Sequence, residues 1–192
     1  VYKKILQGNL MTRIQPNLTP DPKSQELLNG VKKMLGGTPN LFTTLAHSSA
    51  ALGVFVGALG ALSTSKLSGG LREQLALTVA GANGCDYCAS AHTALGKMNK
   101  ISESELARNL QAESGDAKTQ AALTFAQKIV TARGRVSDSD VQSLRSSGYG
   151  DSEIVDIVAV TCINIFTNYF NHIAGTEVDF PLVSTESVAK AA

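Results

Sequence analysis

Cys85-Asp86-Tyr87-Cys88 followed by His92 is the stretch of this sequence whose residue types and spacing can do chemistry. On an α-helix, positions i, i+3 and i+7 fall on one face, so both sulfurs and the imidazole can meet. Asn83-Gly84 immediately before them is a strong turn signal, which puts the sulfurs at or near a helix N-terminus. Free N–H groups and the helix dipole favour thiolates there, so both thiols are expected to titrate below the ordinary value of about 8.5. Glu73 joins them by facing. If Leu71 to Ala82 and Cys85 to Met98 form an antiparallel hairpin about Asn83-Gly84, then Glu73 lies ten residues before the turn and His92 eight after it. At about 1.5 Å per residue the two stand at nearly the same height.

That arrangement reads as a relay from Glu73 through His92 to Cys88, the sulfur four residues before the histidine. Cys88 is then the attacking thiolate and Cys85 the resolving thiol. Attack on the terminal oxygen of a hydroperoxide leaves a sulfenic acid on Cys88, which Cys85 converts to a disulfide before over-oxidation. The same pair can instead exchange with a partner's disulfide, since that reaction also needs an accessible thiolate. A zinc site is the metal-binding alternative: Cys85, Cys88, His92 and the distant Cys162 would complete a Cys₃His set. Crowding of three ligands on one helix makes tetrahedral closure awkward, and Cys162, in an apolar run, reads as a buried inert thiol. Tyr87 reads as a packing tyrosine beside the site, His47 as a helix C-terminal cap, His172 as a partner for buried backbone groups, and Met34 and Phe125 as core.

The elements that hold these residues read as helices throughout. Asp21-Pro22 is a cap with proline at the first helical position, opening a helix over Lys23 to Leu35; Thr38-Pro39 repeats the signal ahead of a short second helix. Ala50 to Leu62 carries Gly53, Gly57 and Gly60 on one face, fit for tight packing inside the domain or for a subunit contact. Ser102 opens a capping box, and helical patterns follow over Asp116 to Thr131 and Asp138 to Arg145. Ser152 to His172, apolar nearly all round from Ile154 to Phe166, is expected to be the central buried helix. No alternating run predicts a strand, so the fold class is all-α. Glu73 and His92 are nineteen residues apart, as are Glu153 and His172 at an offset of eighty, which predicts a degenerate internal repeat of a helical hairpin with the sulfurs kept only in the first copy.

Composition narrows the functions. With 192 residues the chain can bury a sizeable core, and its net charge of +1 leaves no basic field for nucleic acid. The longest apolar stretch, Ala50 to Leu62, is thirteen residues, short of the roughly 20 that cross a bilayer, so no membrane partner is expected. Three cysteines and no cationic-then-apolar leader point to a reducing, cytoplasmic setting. Residues 1–10 share no pattern with the rest, and Met11-Thr-Arg-Ile reads as a natural start, so 1–10 is expected to be a tag or disordered extension and 11–192 one helical domain.

Glu73, eleven further residues, Cys85-Asp-Tyr-Cys88, three residues and His92 together resemble the carboxymuconolactone decarboxylase and AhpD-like alkylhydroperoxidase family. Similarity extends to Pro39-Asn-Leu-Phe-Thr-Thr-Leu-Ala-His47 and to Asn168-Tyr-Phe-Asn-His-Ile-Ala-Gly-Thr-Glu-Val-Asp-Phe-Pro181. The resemblance implies an AhpD-like helical fold and a thiol-dependent hydroperoxidase in antioxidant defence, working without metal or organic cofactor. It implies Cys88 as peroxidatic, Cys85 as resolving, and Glu73 with His92 as the proton relay. It further implies homo-oligomers, as trimers or trimer-based hexamers, and a thiol or lipoyl-type electron donor. AhpD members carry a histidine where this chain has Tyr87. A second branch decarboxylates a lactone without a cysteine pair, so both cysteines here favour the redox branch.

Overall fold

The computed structural model describes residues 12–186, in which helices α1 (Pro22–Leu35), α2 (Asn40–Leu45), α3 (Ser49–Ser63), α4 (Gly69–Asn83), α5 (Asp86–Met98), α6 (Glu103–Asn109), α7 (Ala117–Thr131), α8 (Asp138–Ser146) and α9 (Asp151–Ala174) are joined by turns. The reading of residues 1–10 as an extension lies outside the described residues.

Local chemistry sets the boundaries. Asp21 accepts hydrogen bonds from the backbone N–H groups of Lys23 and Ser24, with Pro22 in the first turn, and α1 ends at Gly36 in the left-handed region. Serines 48, 68, 102 and 137 and Asp116 cap their helices the same way. α4 ends at Gly84, whose φ of +68° is the conformation that favours glycine, and Cys85 follows directly as the N-cap of α5.

α4 is the hub: it packs on α5, α9, α7 and α6. Its Leu77 and Ala80 belong to a core with α1, α2, α3 and α5, and its Leu75 to a second core with α7, α8 and the first half of α9. The approach to α6 is close enough that a Cβ at Gly81 would lie 1.9 Å from the Leu110 carbonyl oxygen.

Three expectations change. The residues eighty beyond the α4–α5 hairpin form one continuous helix, α9, with Ile163-Asn164 in its interior where Asn83-Gly84 turns. The chain does not turn there: Glu153 and His172 stand near opposite ends of that helix, since nothing in Ile163-Asn164 breaks it. The stripe of small residues on α3 packs inside the molecule only at Gly53, near Leu27; a Cβ at Gly57 or Gly60 would meet nothing within 4 Å. Finally, α9, with 24 residues and a mean hydropathy of 1.3 over its most apolar stretch, is long and apolar enough to cross a membrane by those two measures, which the shorter run on α3 is not. Its Thr161, Asn164, Asn168 and Asn171 face is buried against the other helices, the environment of a core helix.

Candidate active site

The turn at Gly84 delivers Cys85 to the N-cap of α5, where its sulfur accepts the backbone N–H of Cys88 at 3.4 Å. One turn on, Cys88 Sγ accepts the amide N–H of Asn171 from α9 at 3.2 Å. The two cysteines are unbridged and nearly closed off, 1% and 2% exposed. On the facing helices, His92 Nδ1 and Glu73 Oε2 are 2.7 Å apart, so the hairpin does bring this pair together across its turn.

The two thiols are not equivalent. A hydrogen bond from the Cys88 thiol and the Cys88 backbone N–H hold the Cys85 thiol below its ordinary range, against the cost of burial. Burial pushes the Cys88 thiol well up, and the neighbouring Cys85 sulfur adds to the rise, while Asn171 and Thr167 pull the other way. The expectation that both titrate low therefore fails at Cys88: one N-terminal position cannot stabilise two adjacent anions in a dry site. Of the two, Cys85 is the thiol whose ionisation the site favours, and Cys88 the one that holds its proton more tightly. His92 makes no hydrogen bond to Cys88; among the described residues its ring bonds only Glu73, and its other nitrogen is left for a substrate or a water.

Cys88, His92 and Glu73 nevertheless line one cavity of about 360 Å³. Its walls are otherwise chiefly apolar, including Phe42, Phe55, Leu59, Ile163 and Phe180, with Met34 and Met98 exposed at the mouth. Met34 is thus a rim residue rather than core, while Phe125 is buried.

The remaining candidates fall into place individually. Tyr87 is buried, edge-on to Phe180, and its hydroxyl oxygen accepts the Leu41 N–H in the first turn of α2, so it is a packing and capping residue. His47 bonds the Gln15 carbonyl rather than a helix end, and the exposed His172 contacts the Gly84 carbonyl at 3.3 Å. Cys162 lies on the outer face of α9, exposed, and does not join the other two, which removes the Cys₃His arrangement. Asn171 was missed by the residue-by-residue reading; the signal was a buried polar residue on an apolar helix, inside the run Asn168 to Pro181. The segment after α9 also supports the site. Asp86 Oδ1 accepts the Thr185 N–H and hydroxyl, and Ser90 Oγ accepts the Val183 N–H, tying residues 183–185 to the first turns of α5.

Residues 50–128, from α3 into α7 and including Glu73, both cysteines and His92, match the carboxymuconolactone decarboxylase family. No curated relative matches the chain. Among solved structures, an uncharacterized peroxidase-related protein from Silicibacter sp. TM1040 is 26% identical with a TM-score of 0.75, covering 85% of this chain and 91% of its own. An alkylhydroperoxidase AhpD core, an uncharacterized peroxidase-related protein from Ralstonia eutropha JMP134, is 25% identical with a TM-score of 0.76, covering 83% and 87%. A cysteine variant of the debrominase Bmp8, in complex with 2,3,4-tribromopyrrole, shares the fold at 18% identity, a TM-score of 0.75 and coverage of 93% and 96%. Over residues 50–128, which carry the dithiol, the carboxylate and the histidine, the chain is similar to the carboxymuconolactone decarboxylase family, and its helices are arranged as in the AhpD-like structures.

Proposed function

We propose that the protein reduces apolar organic hydroperoxides through a Cys85–Cys88 dithiol/disulfide cycle in a reducing, cytoplasmic setting. The observation that carries this reading is the common cavity: a sulfur, a carboxylate-held imidazole and apolar walls meet in one space. Hydrogen peroxide gains nothing from such walls, whereas an alkyl or aryl hydroperoxide gains about 25 cal/mol for each Å² it buries.

The chemistry follows from the inequality of the two thiols. Cys88 passes its proton to the Cys85 thiolate and attacks the terminal peroxide oxygen; the O–O bond breaks, and the leaving alkoxide takes a proton from His92, oriented by Glu73. Cys88 is then a sulfenic acid. Cys85 Sγ displaces its hydroxyl as water, so one hydroperoxide and two thiols give one alcohol, one water and one disulfide. No metal or organic cofactor takes part.

The test is free-thiol titration with mass spectrometry before and after one equivalent of cumene hydroperoxide. Wild type should lose both thiols of the pair and two hydrogens in mass, and Cys88→Ser should not. Thiols that stay reduced with hydroperoxide in excess would sink the reading.

A second reading has its own observation. The thiol that the site makes the more acidic is Cys85, not the sulfur facing the cavity, which suits exchange with a partner disulfide. Under that reading Cys85→Ser loses disulfide reductase activity, while hydroperoxide leaves wild type unchanged.

We also propose that the protein assembles with copies of itself, as trimers or trimer-based hexamers. Val155, Val158, Cys162, Phe166, Tyr169 and Ile173 run along the outer face of α9 and are all exposed. Phe166 touches Phe55 of α3, whose outer face, with Val54, Gly57 and Ala61, continues the patch. From Val155 to Ile173 the patch is about 27 Å long, and two helices wide it covers on the order of 500 Å², well over half of the roughly 800 Å² per partner of a stable interface. The exposed glycines of α3, Gly57 and Gly60, let a second copy's backbone come close.

A further inference from the structure

We propose that the thiol that re-reduces the pair enters through a second opening, a polar cleft on the Cys85 side of α5, so that oxidant and reductant reach the dithiol from different directions. The proposal rests on the dithiol cycle above. The cleft, of about 690 Å³, is lined by Arg13, Gly84, Cys85, Asp86, Asn171 and His172, with Glu177 and Leu182 on its rim. Cys85 borders this cleft and not the apolar cavity; Cys88 borders the cavity and not the cleft. Of all the lining residues only the buried Tyr87 belongs to both, as the wall between them.

A disulfide bridging Cys85 and Cys88 therefore runs from the cleft to the cavity. Exchange at sulfur requires the attacking sulfur, the attacked sulfur and the leaving sulfur to lie nearly in line. A nucleophile reaching Cys85 comes from the cleft, and one reaching Cys88 would have to come through the cavity. An apolar cavity charges a thiolate its desolvation, whereas the cleft offers two basic side chains, Arg13 and His172, beside the carboxylates of Asp86 and Glu177. The ligand class is accordingly a small hydrophilic thiol carrying charged groups.

The donor thiolate attacks Cys85 Sγ, forming a mixed disulfide and breaking the Cys85–Cys88 bond. Cys88 leaves into the site where the Asn171 amide N–H receives it and picks up a proton from solvent or His92. A second donor thiolate then attacks the donor's sulfur in the mixed disulfide and expels Cys85, which is the easier anion of the pair because the Cys88 N–H and thiol stabilise it. Two donor thiols become one donor disulfide, and the protein gains two electrons. Leaving-group acidity alone would direct the first attack to Cys88; access directs it to Cys85, and the two are distinguishable.

The half-reactions are measured separately, with glutathione reducing diamide-oxidised protein and cumene hydroperoxide oxidising reduced protein. Leu182→Trp and Glu177→Trp, both at exposed rim positions of the cleft, should slow reduction about tenfold and change oxidation less than about twofold. Met34→Trp and Met98→Trp, at exposed positions on the cavity mouth, should do the reverse. Peptide mapping of partly reduced wild type should find glutathione on Cys85. Glutathione on Cys88, or cavity-mouth variants that slow both half-reactions alike, would overturn the proposal. Because diamide makes the disulfide without peroxide, failure of hydroperoxide to oxidise the wild type would remove the peroxidase reading and leave this measurement intact.

Discussion

Cys85 owes its acidity to the residue three positions on. The Cys88 thiol is the largest contributor and the Cys88 N–H a lesser one. Cys88→Ala keeps the N–H and removes the thiol, so the pH profile for alkylation of Cys85 by iodoacetamide should move upward, toward that of an ordinary thiol. A lowered pKa means the anion persists as pH falls, so wild type should still alkylate at a pH where the variant has stopped. Glu73→Gln leaves the imidazole without its anionic partner. It should lower kcat/KM for cumene hydroperoxide by about 10²-fold, a typical contribution for a positioned acid or base, without altering the fold seen by circular dichroism. The sequence makes Glu73, Cys85, Cys88 and His92 legible because helix periodicity and one turn bring them together locally. Asn171 lies 83 residues from the sulfur it touches, and no periodicity reaches that far. The imbalance between the two thiols was equally out of reach, since it arises from burial at Cys88, which depends on how α9 packs.

Helix ends and close approaches decide where α4 and α5 sit. Gly81→Ala should be among the most damaging conservative changes in the chain: the added carbon would lie 1.9 Å from a backbone oxygen, which cannot rotate away. A loss of about 3 kcal/mol, the upper range for overpacking, is expected in urea unfolding. Asp21→Ala removes only a cap at the exposed start of α1 and should cost about 1 kcal/mol. These boundaries were readable because caps and glycine turns are local signals. The eighty-residue offset was misleading for the same reason: two matched pairs say nothing about whether the chain between them turns. Gly84, in the left-handed region, makes the turn in α4–α5, and the asparagine and isoleucine at the corresponding place in α9 continue the helix.

On the scale of the molecule, the outer faces of α3 and α9 expose Val54, Val155, Val158, Phe166, Tyr169 and Ile173 together. Val54→Glu combined with Ile173→Glu places charges on residues that are each 64% exposed, so the folded monomer should tolerate them. Sedimentation velocity should then show a shift from oligomer to monomer with unchanged helix content; an unshifted profile would remove this face as the interface. The apolar character of α9 was plain in the sequence, but which of its faces stays uncovered is settled only by the packing of α4 and α7 against the other side. The ties from the start of α5 to α9 and the segment after it carry a consequence for biosynthesis. Cys88 lacks its Asn171 partner until α9 has been made, and the first turn of α5 lacks its Asp86–Thr185 bonds until residue 185 has. Since synthesis runs from the N-terminus, the dithiol spends the translation of some hundred residues, Ala89 to Thr185, outside its finished surroundings. During that interval Cys88 lacks the cover that α9 gives it, and the pair is open to whatever oxidant the nascent chain meets.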